Sequence, residues 1–228
     1  MEPRISEYAV RLEAEPGVEL EGMLSVPESV SGVVLFAHGS GSSRFSPRNR
    51  YVARVLQQVG LATLLMDLLT QDEEEAERWT RHLRFDIELL ARRLVGATRW
   101  LAQLPALGSQ PLGLMGSSTG AGAALVAAGR MPEAFQAVVS RGGRPDLAGA
   151  LLPSVRAPTL LIVGGDDTQV IALNRQACEA LRMDKRLEIV PGATHLFEEP
   201  GTLEQAAGLA RNWFLQHLTQ EARGGVSP

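Results

Sequence analysis

The strongest constraint in this chain is Gly116-Ser-Ser118-Thr-Gly120 and what flanks it. Pro111 leads into an apolar run, Leu112-Gly-Leu-Met115, and Ala121, Ala123, Ala124 and Leu125 begin a small-residue helical pattern directly afterwards. The stretch reads as strand, sharp turn, helix, with Ser118 at the apex. A turn this tight imposes a strained backbone on the apical residue. Glycines on either side leave room where side chains would collide with the adjoining strand and helix. The Ser118 hydroxyl is thereby pushed out above a sheet, with a helix N-terminus behind it. The same five positions also occur as a plain Gly/Ser turn without chemistry, so the weight falls on what else the chain supplies.

The remainder alternates between strand and helix patterns. Residues 8–13 and 18–26 alternate apolar and polar around Pro16-Gly17, which predicts a hairpin with one buried face. Val33 to Ala37 is a continuous apolar run, the pattern of a strand covered on both sides. His38-Gly-Ser-Gly-Ser-Ser43 follows as a flexible loop. Pro47 can open a helix, in which Tyr51, Val52, Val55, Leu56 and Val59 repeat at helical spacing before Gly60. Further buried strands are expected over 61–69, 135–139, 159–163 and 187–190, and helices over 85–104, 146–152, 170–181 and 202–218. Such alternation predicts an α/β fold: a mostly parallel, doubly wound sheet with helices on both faces and no separate cap. We expect one domain over 1–220 and a flexible tail over 221–228.

Residues 70–84 are the one strongly polar stretch, acidic from Gln71 to Glu77 and basic from Arg78 to Arg84. They read as a solvated loop passing into a helix, with a substrate lid as the alternative. Over all 228 residues the net charge is −4, which implies no basic surface and argues against a nucleic-acid partner. No apolar run approaches the ~18 residues that span a bilayer. The start of the chain lacks a basic segment followed by an apolar one, so no signal peptide is expected. With a single cysteine, Cys178, no internal disulfide can form. These features together predict a cytoplasmic protein without a membrane partner. Cys178 lies in a helical pattern and reads as a core residue.

In a doubly wound sheet the loops at the carboxyl ends of the strands gather on one edge. Here those loops carry residues 38–43, Ser118, Asp166-Asp167 and His195. A serine hydroxyl is a poor nucleophile until an imidazole takes its proton during attack. A carboxylate fixes the imidazole tautomer and stabilises the imidazolium. An oxyanion then needs two preorganised N–H donors. The backbone of Thr119 should be one and that of Ser40 the other. Arg44, Arg48, Arg141 and Arg144 fall in loops on the same edge, where a guanidinium can fork onto a substrate carboxylate. Arg141 is the best placed because it directly follows a strand; Arg44 is a second candidate. His38 borders the oxyanion loop and reads first as its hydrogen-bonded support, with substrate contact as the alternative. His82 and His217 read as solvated. No His/Cys/carboxylate cluster has metal spacing.

Two other classes compete. Residues 33–67 imitate a dinucleotide fingerprint, but Arg44 stands where the third glycine belongs and Pro47 delays the helix. A non-catalytic binding module on the same fold would not require serine, acid and histidine together.

On Phe36-Ala-His-Gly-Ser-Gly-Ser-Ser43, Gly116-Ser-Ser-Thr-Gly120, Leu161-Ile-Val-Gly-Gly-Asp-Asp-Thr-Gln-Val170 and Pro191-Gly-Ala-Thr-His195, nearly the whole chain resembles the dienelactone-hydrolase-like branch of the α/β-hydrolases. The resemblance implies a cap-less hydrolase of carboxylic esters or lactones, acting on a small-molecule substrate with no metal or organic cofactor. It places the nucleophile at Ser118 and the base at His195. It favours Asp167 over Asp166 as the acid, because Val170 follows Asp167 at the spacing this superfamily uses. The dienelactone hydrolases themselves carry cysteine at the elbow. Serine here points toward a general serine esterase.

Overall fold

The structure is a computed structural model and describes residues 3–218. The tail expected over 221–228 lies outside the described residues. One eight-stranded sheet runs in the order β1-β2-β4-β3-β5-β6-β7-β8. The strands are β1 (Ile5–Glu15), β2 (Val18–Pro27), β3 (Gly32–Ala37), β4 (Leu61–Met66), β5 (Leu112–Ser117), β6 (Ala137–Arg141), β7 (Thr159–Gly164) and β8 (Lys185–Val190). The β1/β2 and β2/β4 pairs are antiparallel, and all others are parallel. The helices are α1 (Pro47–Gln57), α2 (Gln71–Thr80), α3 (Ile87–Ala102), α4 (Thr119–Arg130), α5 (Thr168–Ala180) and α6 (Thr202–Leu218). None is long and apolar enough to cross a membrane.

The period of two along each strand builds two cores. In β3, Val33, Leu35 and Ala37 face the layer of α3 and α4, whereas Val34 and Phe36 face that of α1 and α6. Leu114 and Met115 of β5 divide in the same way. Gly113 is small for a packing reason. A Cβ there would sit 2.6 Å from Cε1 of Phe214, so the glycine lets α6 approach the sheet. Burial on both faces explains why β3 to β7 read as uninterrupted apolar runs.

Residues 70–84 differ from expectation. A helix starts at once, because Thr70 and Glu73 form a capping box: the Thr70 side chain accepts from Glu73 N–H while Glu73 accepts from Thr70 N–H. The chain then turns around Glu77, whose side chain is wholly buried. Its carboxylate accepts from the amides of His82, Leu83 and Arg84 and from Arg84 Nε at 2.7 Å. Burial pushes the Glu77 carboxyl up, but these donors outweigh it and hold the group at about 2. An acidic run read as uniformly solvated therefore contains one internal keystone. His217 also departs from expectation. It packs on Trp213 with ring centroids 4.5 Å apart and the planes tilted by 58°, its side chain is 15% exposed, and burial lowers its basicity. His82 is exposed, as read. Cys178 is partly buried against the α3/α4 core.

Candidate active site

Ser118 closes β5 and serves as the N-cap residue of α4 with φ 52° and ψ −126°, a conformation that L-residues rarely adopt. Its neighbours show why glycine flanks it. A Cβ at Gly116 would lie 2.4 Å from Ala121 Cα, and one at Gly120 would lie 2.3 Å from the His38 carbonyl oxygen. Removing those two methyl groups lets helix, strand and the 38–43 loop close around one hydroxyl.

Three separate loops meet there. His195 follows β8, and its Nε2 lies 3.3 Å from Ser118 Oγ. Its Nδ1 lies 2.6 Å from Asp167 Oδ2, at the end of β7. A carboxylate accepts, so Nδ1 carries the hydrogen and Nε2 presents a lone pair toward the serine. Asp166 is exposed and occupies the preceding turn, where its amide donates to Ala193 O. The His195 loop is tied to itself. Glu199 accepts from Thr194 Oγ1 at 2.6 Å and from Thr194 N–H at 3.0 Å, and these bonds keep its carboxyl below the usual range.

His38 is buried directly after β3. Leu68 N–H donates to its Nε2 at 3.1 Å, which leaves the Nδ1 hydrogen to the Gly39 carbonyl at 2.9 Å. Burial lowers its basicity, so the neutral ring ties the loop after β3 to the loop after β4. That is a supporting position with no imidazole edge left for a substrate. The Ser40 amide donates to Thr119 Oγ1 at 2.9 Å. The Thr119 amide belongs to the first turn of α4, among the donors that a helix cannot satisfy internally.

The arginines separate clearly. Arg44 is spent on Asp67 and Glu21, and Arg144 forks onto Asp146 with two bonds of 2.8 Å. Arg48 pairs with Glu198 at 2.9 Å on the surface. Arg141 is 6% exposed and touches no carboxylate among the described residues. Its Nη2 donates to Asn49 Oδ1 at 2.9 Å and to Ser117 Oγ at 3.1 Å, while Nη1 is buried without a partner. Burial and the nearby Arg48 charge lower its pKa to about 10. Arg141, Arg48, Ser118 and His195 all line one cavity of about 290 Å³, and no Asp or Glu among the described residues lines it.

Asn49, Ser117, Phe197 and Glu199 were not singled out from the sequence. Asn49 had a signal: it precedes Val52 by three residues and so puts an amide on the apolar face of α1. Phe197 lies with its ring centroid 6.0 Å from the Arg141 guanidinium carbon, a contact no spacing announces.

A mostly parallel sheet with a strained serine between β5 and α4, and histidine and acid at the ends of β8 and β7, defines an α/β-hydrolase. The chain belongs to the dienelactone hydrolase family, whose model matches residues 20–221. It is 62% identical to a dienelactone hydrolase from Anabaena variabilis, with a TM-score of 0.92 over 96% of this chain and 100% of that one. Est1E from Butyrivibrio proteoclasticus shares the fold at a TM-score of 0.76 and 14% identity, covering 91% of this chain and 98% of its own. Two Mycobacterium tuberculosis proteins named "Putative phosphoribosyl transferase" are 58% identical over 217 residues, 95% of this chain. The chain spans only 48% of their length.

Proposed function

We propose that this hydrolase cleaves a small carboxylic ester, thioester or lactone through an acyl-enzyme on Ser118. The observation that carries the reading is the convergence of Asp167, His195 and Ser118 through contacts of 2.6 and 3.3 Å. Ser118 Oγ attacks the carbonyl carbon as its proton passes to His195 Nε2. The carbonyl π pair moves onto oxygen, and collapse expels the alcohol, thiol or ring oxygen with the proton from His195. Water then repeats the sequence, with His195 as base, to release the acid. Asp167 holds the ring in the tautomer this needs and faces the imidazolium once it forms. The chemistry uses no group beyond the chain and water.

Arg141 is the substrate-binding residue in this proposal. A guanidinium buried without a counter-ion is costly, and an anionic substituent of the substrate offsets that cost. Arg44, Arg144 and His38 are engaged elsewhere and drop out as contacts.

The test is hydrolysis of short p-nitrophenyl esters by the wild type and by Ser118→Ala. Turnover in the first and its loss in the second are expected. Equal rates would remove Ser118 from the mechanism. A p-nitrophenyl ester with a terminal carboxylate should be preferred over its neutral analogue, and Arg141→Gln should erase that preference.

A further inference from the structure

An oxyanion held above Ser118 needs two donors, and the sequence points to the amides of Thr119 and Ser40. The Ser40 amide is not free. It donates to Thr119 Oγ1 at 2.9 Å, inside a site where Thr119 is only 6% exposed. A hydroxyl has two lone pairs and one hydrogen. Accepting from Ser40 uses one lone pair and leaves the hydrogen. Among the described residues nothing accepts that hydrogen.

Its surroundings are fixed. Carbons added at Gly120 would meet His38 O at 2.3 Å and Ala37 O at 2.4 Å, so the first turn of α4 is wedged against the end of β3. A Cβ at Gly39 would meet Ser118 Cβ at 3.0 Å, which seats the loop directly over the nucleophile. Thr119 Oγ1 is three bonds from its own amide nitrogen. The amide and the hydroxyl of this one residue can therefore face a common acceptor in a rotamer that turns Oγ1 toward the amide side.

We propose that the Thr119 hydroxyl is the second oxyanion donor, with the Ser40 amide acting through it. The alkoxide formed on the substrate receives Thr119 N–H and Thr119 Oγ–H. Ser40 N–H donates into the same hydroxyl from behind, polarising it and fixing its direction. No proton is transferred, and the hydroxyl keeps its hydrogen throughout. The device is in place before attack, so it costs no reorganisation in the transition state. This inference rests on Ser118 being the nucleophile.

The other account of the same bond has the opposite sign. If Thr119 Oγ1 merely occupies the Ser40 amide until the oxyanion displaces it, deleting the hydroxyl frees a donor and raises the rate. The experiment compares Thr119→Val, Thr119→Ala and Thr119→Ser on a neutral p-nitrophenyl ester, with a trifluoromethyl ketone as the tetrahedral mimic. We expect kcat to fall on the order of 100-fold in the Val and Ala variants. KM should stay nearly constant, ketone affinity should fall in parallel, and Ser should restore most of the rate. Should Val fail to fold, Ala makes the same deletion with less crowding. A Val or Ala variant as fast as the wild type overturns the proposal, and so does a Ser variant as slow as Val. A wild type that hydrolyses no ester and resists fluorophosphonate labelling ends the proposed function, and this inference with it. Active wild type with an indifferent Thr119 ends only the inference.

Discussion

Replacing Ser118 by glycine should make the protein more stable than replacing it by alanine, although both variants lose the Ser118 hydroxyl. The backbone at this position sits at φ 52° and ψ −126°. A non-glycine residue held in such a region costs about 1–3 kcal/mol. Alanine keeps the Cβ and hence the strain, whereas glycine releases it. Two terms oppose glycine: its unfolded chain has more freedom to lose, about 0.4–1 kcal/mol, and one partly buried carbon disappears, at most about 0.8 kcal/mol. The net advantage of Ser118→Gly over Ser118→Ala is roughly 1 kcal/mol. For a chain of this length that corresponds to about 2–4 °C in melting temperature. The lost contact with His195 Nε2 is common to both variants and cancels. Differential scanning calorimetry or urea titration of the pair reads the difference. A glycine variant that melts at or below the alanine variant would refute the reasoning, because the strain at the elbow would then be no larger than the two terms that oppose glycine.

The remaining predictions concern the acid and the pH response. Asp167→Asn should lower kcat on the order of 10³- to 10⁴-fold by favouring the wrong imidazole tautomer, while Asp166→Asn should leave the rate nearly intact; a reversed order would move the acid to Asp166. Stability should fall on acidification from pH 6.5. His38 and His217 are less basic folded than at their ordinary 6.5, so the unfolded chain binds more protons below that value. Glu77, about 2 when folded against an ordinary 4.5, adds a further loss of the same sign as pH drops from 4.5 toward 2. His217→Phe keeps the packing on Trp213 and should flatten the first part of that slope in urea titrations at stepped pH; an unchanged slope would leave His217 out of it.

The features legible in the sequence were those that a local stretch imposes on itself. Gly116 and Gly120 could be read as space because the turn they flank needs it wherever the rest of the chain goes. β3 to β7 could be read as central strands because burial on both faces leaves no polar alternation. What could not be read was pairing between distant loops. The sequence ranks Arg141 over Arg44 only by its place directly after a strand, and it leaves both as candidates on the same sheet edge. Folding gives Arg44 two carboxylates, Asp67 and Glu21, and gives Arg141 an amide and a hydroxyl. A guanidinium with acids around it is a brace. The same group with only neutral partners, in the cavity that Ser118 also lines, keeps an unanswered charge. The capping box at Thr70 was visible in principle, but the charge run around it suggested solvent. Glu77 was not visible, because nothing local distinguishes it from Glu74 or Glu75. Its carboxylate is enclosed by the amides of His82, Leu83 and Arg84 and by the Arg84 side chain, partners that the sequence around residue 77 does not announce. The Ser40–Thr119 bond belongs to the same category. Each residue has a reason in its own loop to supply an amide, and only the fold shows that a side-chain hydroxyl stands between them.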